Sequence, residues 1–240
     1  MLRDGRVKAP GREVIQADAL LWLEKSAVLP GTSFITSLPD FSEFPSWELS
    51  QWKAWFTRAA RLVMERTPED GVAIFYQRDA KVDGTWRDKS YLIQQGAEEA
   101  GSALLWRKVV CRAPPGNVTF GKPAYSHFLC FSKGVRPALD RSTPDVLLSP
   151  GKVTWTRGMG SQACVSACRF VLENTPSHTI VDPFCGHGTV LAVANAMGLS
   201  ALGVELGRKR AEKARALVAT LSSGGRDHFR FENQGLHIED

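Results

Sequence analysis

The chain has 240 residues, of which 43% are hydrophobic and 23% charged, a composition typical of a globular protein with a full-size core. It excludes a disordered tail, a collagen-like fibre and a disulfide scaffold, and no apolar run reaches the roughly 18 residues that a membrane span needs. Thirty Lys and Arg against 25 Asp and Glu give a net charge of +5, which is compatible with a polyanionic partner. The five cysteines include no Cys-x-x-Cys pair and no secretory segment is apparent, so we expect an intracellular protein without a metal site and without a membrane partner.

Strand and helix patterns alternate along the first part of the chain, which is typical of an α/β protein. The pattern predicts strands at residues 13–16, 33–36 and 72–76, a helical turn after Asp18, a long helix around residues 52–63 and another at residues 91–99. Two further strands at residues 104–110 and 127–132 are joined by a turn-rich segment, which favours an antiparallel pair at one edge of the sheet.

Residues 136–152 are rich in Pro and Gly, and they are interpreted as a connecting loop. The predicted elements beyond this loop are helices at residues 162–172, 189–197 and 208–221, strands at 179–181 and 201–205, and a last short strand at 228–232. The fold class expected is α/β, with a mostly parallel, doubly wound sheet.

The segment at residues 180–206 carries the strongest functional signal. It predicts a strand, a turn containing Gly186 and Gly188, a helix, and a second strand that ends in Glu205. Glycines allow a backbone to approach a ligand closely, and an acid at a strand's carboxyl end can accept ribose hydroxyls. The turn lacks both the GxGxxG spacing for dinucleotides and the GKS or GKT of triphosphate sites. A cofactor that contains a nucleoside but no pyrophosphate is therefore indicated.

The sequence DPFCGHGT at residues 182–189 resembles the DPFxGxGT signature of S-adenosylmethionine-dependent methyltransferases, in particular those that methylate amino groups of nucleic-acid bases. GVEL at residues 203–206 is similar to their second cofactor motif. In the β-class of that family the catalytic half precedes the cofactor half, and this chain places IQADALLWLEKS and ITSLPDFSEF before the cofactor motifs. LLWRKVV and YSHFLCFSKG are similar to the family's antiparallel strand pair.

The resemblance implies a Rossmann-like methyltransferase fold in a single domain, residues 1–240, with S-adenosyl-L-methionine as cofactor. A catalytic half would span residues 1–135, a linker 136–154 and a cofactor half 155–240. The implied cofactor site is made of Asp18 at the adenine amino group, Asp182, Pro183, Phe184, Cys185, Gly186 and Gly188 at the amino-acid end, Thr189 as the cap of the next helix, and Glu205 at the ribose hydroxyls.

The implied acceptor pocket is formed by Ser37, Leu38, Pro39 and Asp40, where the family normally has Pro-Pro followed by an aromatic ring. In the family, that ring stacks on a flipped base while backbone carbonyls bind its amino group. Asp40 cannot stack, but it can accept a hydrogen bond from a base, act as a general base, or serve only as a helix cap. Phe41 could supply the missing ring. The acceptor atom stays open.

The short connecting loop leaves no room for an added recognition region, which favours structured RNA (rRNA or tRNA) over duplex DNA, or a separate recognition partner such as a protein or ribonucleoprotein. The candidate phosphate contacts are Arg107, Lys108, Arg112, Lys122, Lys133, Arg136, Arg141, Lys152 and Arg157. The basic residues of the last helix, Arg208, Lys209, Arg210 and Lys213, are expected on its solvated face. Two alternatives remain: a catalytically altered RNA-binding or assembly protein on the same fold, and a methyltransferase for a small molecule or protein.

Overall fold

The structure, a computed structural model, describes residues 10–221 and 229–233. The strands are β1 Arg12–Gln16, β2 Thr32–Thr36, β3 Ala73–Gln77, β4 Ala80–Val82, β5 Thr85–Arg87, β6 Ala103–Cys111, β7 Tyr125–Ser132, β8 Val146–Leu147, β9 Thr179–Asp182, β10 Ser200–Glu205, β11 Leu217–Leu221 and β12 Phe229–Asn233. The α-helices are α1 Ala19–Lys25, α2 Leu49–Arg66, α3 Lys89–Glu99, α4 Ser161–Asn174, α5 Thr189–Ala196 and α6 Arg208–Ala216.

Eight strands form one sheet in the order β1-β10-β9-β2-β3-β7-β6-β8. All neighbouring strands are parallel except β7, which runs antiparallel to both β3 and β6. The prediction of an antiparallel pair is therefore confirmed, but the pair lies one strand in from the edge. The edge itself is β8, a two-residue strand within the segment predicted to be a loop.

Helices cover both faces of the sheet, as a doubly wound fold requires. Every residue of β2 and β3 is buried, because central strands of a parallel sheet are covered on both sides. One hydrophobic cluster joins the sheet to α4, α5 and α6, and a second joins it to α1, α2 and α3. Strands from both predicted halves of the chain belong to this one sheet. The boundaries of the two halves stay predictions.

The last predicted helix ends earlier than its pattern indicates. Instead of reaching residue 221, α6 stops at Ala216, and β11 pairs antiparallel with β12 in a separate two-stranded sheet. The guanidinium of Arg12 donates hydrogen bonds to the carbonyl oxygens of Ala214 and Leu217, so a distant side chain occupies the carbonyls at the helix end. β12 confirms most of the last predicted strand, whose first residue, His228, lies outside the described residues.

A small hairpin formed by β4 and β5 is absent from the predicted elements. Its turn contains Asp83 and Gly84, both with positive φ (49° and 74°). An Asp-Gly pair between short extended segments is a strong hairpin signal, so the sequence did contain the information. Among the helices of the described residues, none is both long and apolar enough to cross a membrane.

Candidate active site

A cavity of about 530 Å³ lies at the carboxyl ends of β2, β9 and β10. Parallel strands bring their carboxyl ends to one edge, and ligands of open α/β sheets bind there. The predicted site residues that line this cavity are Asp18, Ser37, Leu38, Pro39, Asp182, Pro183, Phe184, Cys185, Gly186, Thr189 and Glu205. Two predicted residues do not line it: Gly188, and Asp40, which lines a neighbouring cavity.

The glycine turn after β9 is left-handed at both glycines, with φ of 54° at Gly186 and 81° at Gly188. A Cβ on Gly188 would lie 2.8 Å from the Cα of Ala214, so this glycine serves the turn and the packing of α6. A Cβ on Gly186 would lie 2.5 Å from the ring of Trp155. Trp155 also stacks on the ring of His187, with ring centroids 4.5 Å apart. The indole therefore covers the turn from the cavity side.

Thr189 does not have the capping role that was predicted for it. It is the first residue of α5, and Gly188 holds the cap position without a side-chain hydrogen bond. The Thr189 hydroxyl is instead hydrogen-bonded to the hydroxyl of Thr154, at 2.5 Å. This bond connects the segment before α4 to the start of α5, next to Trp155.

Asp182 is a buried carboxyl group at the end of β9, with 3% of its surface exposed. Its Oδ1 accepts hydrogen bonds from the Thr36 hydroxyl (2.7 Å) and from the Phe184 backbone N–H (3.2 Å). Burial raises the pKa of Asp182 to about 7, with a further contribution from the nearby charge of Glu205. A carboxylate held in this way would be stabilised by a cationic group of a ligand.

Glu205 ends β10 and connects three parts of the site. Its carboxylate accepts hydrogen bonds from the backbone N–H groups of Gly186 (3.2 Å) and Gly207 (2.8 Å). Arg210 donates to the same carboxylate, Nε to Oε1 at 2.7 Å, and lines the cavity. The expectation that Arg210 belongs to the solvated face of the last helix is therefore wrong.

Another part of the cavity wall is aromatic. Asp18 caps α1 by accepting the Leu21 N–H at 2.9 Å, and it lines the cavity together with a group of rings. These rings, called here the aromatic wall, are Phe44, Trp47, Trp55 and Phe184, with centroid separations between 4.5 and 6.3 Å. On α2, Trp52 and Phe56 are fully buried, whereas Trp55 is partly buried and also lines the cavity.

A second cavity, of about 440 Å³, adjoins the first. Both cavities are lined by Ser37, Leu38, Glu43, Arg157 and Gly158. Glu43 and Arg157 form an ion pair at this boundary, with Oε2 and Nη1 2.6 Å apart. The segment after β2 therefore lies between the two cavities, and its side chains line both of them.

Asp40 is both the cap of a short 3-10 helix, Phe41–Glu43, and the partner of a buried lysine. Its Oδ1 accepts the Ser42 N–H at 3.0 Å, and its Oδ2 lies 2.5 Å from the Nζ of Lys89. Burial alone would raise the pKa of Asp40, but Lys89 and the bonds to Ser42 outweigh it, and the pKa lies below its ordinary value. Such a carboxylate is a weak base, so the geometry favours the capping interpretation over the general base.

Two backbone carbonyls of the Ser37–Asp40 segment already accept hydrogen bonds. The Leu38 oxygen accepts from Gln77 Nε2 at 3.4 Å, and the Pro39 oxygen accepts from Trp52 Nε1 at 3.3 Å. The ring of Phe41 packs towards Trp52, with centroids 5.8 Å apart, and lines neither cavity. The idea that Phe41 replaces the missing aromatic ring is therefore wrong.

The nine basic residues predicted as phosphate contacts do not form one group. Lys108, Lys133, Arg136 and Arg141 donate to backbone carbonyls of the protein itself. Arg112, Lys122 and Arg157 line the second cavity, where they are joined by Arg78, Lys81 and Lys89. Arg107 and Lys152 line neither cavity. The sheet topology brings Arg78, Lys81 and Lys89 to the second cavity. The local sequence pattern therefore gave no signal that could have identified them.

Solved structures of methyltransferases share this fold. A protein from Thermus thermophilus, described as a candidate DNA modification methylase and complexed with S-adenosyl-L-methionine, superimposes with a TM-score of 0.64 at 19% identity, over 85% of this chain and 92% of that chain. The PvuII cytosine-N4-specific DNA methyltransferase gives 0.64 at 17% identity, over 87% and 88% of the two chains. The M1.HpyAVI complex with S-adenosylmethionine gives 0.55 at 17% identity, over 85% and 97%.

No protein-family model matches the sequence, and no curated protein matches it. The structural likeness establishes the fold at these identities. The chain has a Rossmann-like methyltransferase fold with a mostly parallel sheet and an antiparallel strand near one edge, as the resemblance of its motifs implied.

Proposed function

We propose that the protein is an S-adenosylmethionine-dependent methyltransferase that acts on a base of a nucleic acid. The observation that carries the proposal is the pair of buried carboxyl groups, Asp182 and Glu205, at adjacent strand ends around a cavity of about 530 Å³. A cavity of this size suits a cofactor-sized ligand. The acceptor would enter through the second cavity, on the other side of Ser37 and Leu38.

The residues present suit the proposed cofactor. Asp182 would hold its ammonium group, Glu205 its ribose hydroxyls, and the aromatic wall supplies apolar surface for the base. Asp18 keeps one carboxylate oxygen free of its capping bond, which would meet an amino group of the adenine. The cofactor supplies an activated methyl group, so the protein has to position the acceptor in line and let a proton leave.

The choice between RNA and DNA is the finer part of the proposal. The short predicted loop at residues 136–152 favours structured RNA. However, the chain covers 88% of the PvuII enzyme and 97% of M1.HpyAVI, so its size is close to theirs. Chain size therefore does not decide between the two nucleic acids, and the proposal keeps structured RNA as the acceptor with DNA as its direct competitor.

The test is transfer of labelled methyl groups from S-adenosylmethionine to total RNA and, separately, to genomic DNA, with the Asp182→Ala protein as control. Label in RNA alone would support the full proposal, and nucleoside analysis would then identify the methylated atom. Label in DNA alone would replace RNA by DNA. Label that persists in the control would contradict the assignment of the cofactor cavity.

A second candidate function is supported by the altered Ser37–Asp40 segment, in which Asp40 is engaged by Lys89 and the carbonyls of Leu38 and Pro39 accept internal hydrogen bonds. The protein would then bind RNA as an assembly factor without methylating it. Cofactor binding by calorimetry, together with RNA binding but no label in either nucleic acid, would favour this second function.

A further inference from the structure

Two arginines of the second cavity, Arg78 and Arg112, come from separate parts of the chain. Arg78 follows β3 and Arg112 follows β6, and both strands run antiparallel to the intervening β7. Their carboxyl ends therefore meet at the same edge of the sheet as the cofactor cavity. Both arginines line the second cavity and both are half-buried.

Neither guanidinium has a carboxylate bound to it within the described residues. The side-chain hydrogen bond of Arg112 goes from Nη1 to the neutral hydroxyl of Tyr76, at 3.1 Å. Arg78 makes no side-chain hydrogen bond or ion pair with the described part of the chain. Burial lowers the pKa of Arg78, and the positive charge of Arg112 lowers it further, against weaker opposing effects of Tyr76 and Asp40.

The acidic residues that line this cavity have other partners. Asp40 binds Lys89 and Glu43 binds Arg157, while Asp79 accepts from the Lys89 backbone N–H and pairs with His127 at 2.9 Å. Lys81 and Lys122 also line the cavity without an ion pair to a described residue. The cavity therefore keeps an excess of positive charge that the described part of the protein does not neutralise.

Two like charges held together at a half-buried site destabilise the folded chain unless an anion joins them. We infer that Arg78 and Arg112 form a subsite for a backbone phosphate of the substrate, beside the nucleotide whose base enters the second cavity. Two guanidinium forks can bind the oxygens of one phosphate in parallel, and arginine suits this task better than lysine. This inference rests on the proposed function, because it takes the acceptor to be a nucleotide within a chain.

The experiment compares Arg78→Gln and Arg112→Gln with the wild-type protein in binding single-stranded oligonucleotides, both DNA and RNA, over a range of salt concentrations. Arg230→Gln is the matched control, because Arg230 lies on β12, is 74% exposed and lines neither cavity. Each cavity variant is expected to weaken binding about tenfold and to lower the slope of log affinity against log salt by about one. The double variant should lose less than the product of the single losses, since both groups bind one phosphate.

Two further measurements separate the possible outcomes. The melting temperature of Arg78→Gln should equal or exceed that of the wild type, because the substitution removes the repulsion between Arg78 and Arg112, whereas a lower value would indicate a structural arginine. Binding of S-adenosylmethionine should be unchanged in both variants.

The outcomes that would overturn the inference are distinct from those that would overturn the proposed function. Wild-type salt slopes in the variants, with cofactor binding and transfer intact, would overturn the subsite alone. Inorganic phosphate that competes as well as an oligonucleotide would also overturn it, because it would indicate a free-anion site. Absence of cofactor binding in the wild type would overturn the proposed function itself.

Discussion

The two adjoining cavities are built in different ways. The cofactor cavity takes four of its polar side chains, Asp182, Thr189, Glu205 and Arg210, from one continuous segment, so these residues are close in sequence. The second cavity gathers Arg78, Lys89, Arg112 and Thr156 from four separate parts of the chain. A site for a small cofactor can be encoded in one strand–turn–helix unit. A binding surface for the acceptor is assembled by the sheet topology from residues far apart in the chain, so it forms no local sequence motif.

The largest expected effect tests the cofactor side of this comparison. Replacing Asp182 with Ala should weaken S-adenosylmethionine binding by about 100-fold or more, because a buried charged hydrogen-bonding partner is lost. Asp182→Asn is the matched variant, since its amide oxygen can still accept from Thr36 and Phe184. Isothermal titration measures both affinities. Wild-type affinity in the Asn variant would show that the carboxylate does not hold the cofactor's ammonium group.

The second prediction concerns the acceptor side. Asp40→Ala should lower the free energy of unfolding by about 3 kcal/mol, because the buried Lys89, 3% exposed, loses its partner. Cofactor affinity should not change, since Asp40 does not line the first cavity. Urea unfolding is the measurement, and Lys89→Met in the Asp40→Ala background should restore part of the loss. Unchanged stability in Asp40→Ala, combined with lost methyl transfer, would instead assign Asp40 to the acceptor.

The third prediction is that cofactor affinity depends on pH through Asp182 of the cofactor cavity. The pKa of Asp182 is raised to about 7, and a bound ammonium group would favour its ionised form. Cofactor affinity should therefore increase about tenfold from pH ~6 to pH ~8 and then level off. The free energy of unfolding of the cofactor-free protein should change with pH in the opposite direction. A carboxyl group with a raised pKa stabilises the folded state at low pH, and this contribution is lost as the pH rises from the group's ordinary pKa to about 7. Asp182→Asn is the control that should remove this component of the pH dependence.

The smallest predicted effect concerns the glycine turn. Gly186→Ala should lower the free energy of unfolding by about 1 kcal/mol through its left-handed backbone, with an added clash against Trp155. Combining Trp155→Ala with Gly186→Ala should remove the clash but keep the destabilisation that comes from the left-handed backbone. Thermal unfolding of the two single variants and the double variant separates these contributions. Strictly additive losses would show that Trp155 does not cover the turn in solution.

The sequence determined those features that depend on local patterns. Hydrophobic periodicity predicted most of the central strands and helices, and the Gly186 turn with Asp182 and Glu205 indicated the cofactor edge, because these residues lie within one strand–turn–helix unit. Gly188 was predicted as a ligand contact, but it packs against Ala214, which no sequence pattern placed beside it.

Only the tertiary structure decided the features that depend on residues far apart in the chain. Arg12 binds the carbonyls at the end of α6 from the other end of the chain, so the helix stops before its own propensity would end it. Lys89 reaches Asp40 from another element, which changes the interpretation of the Ser37–Asp40 segment. Arg78 and Arg112 come to the same edge of the sheet because β3 and β6 both run antiparallel to the β7 strand between them. Local propensity acts over a few residues, whereas charge pairing and close approach act through space once the sheet order is fixed.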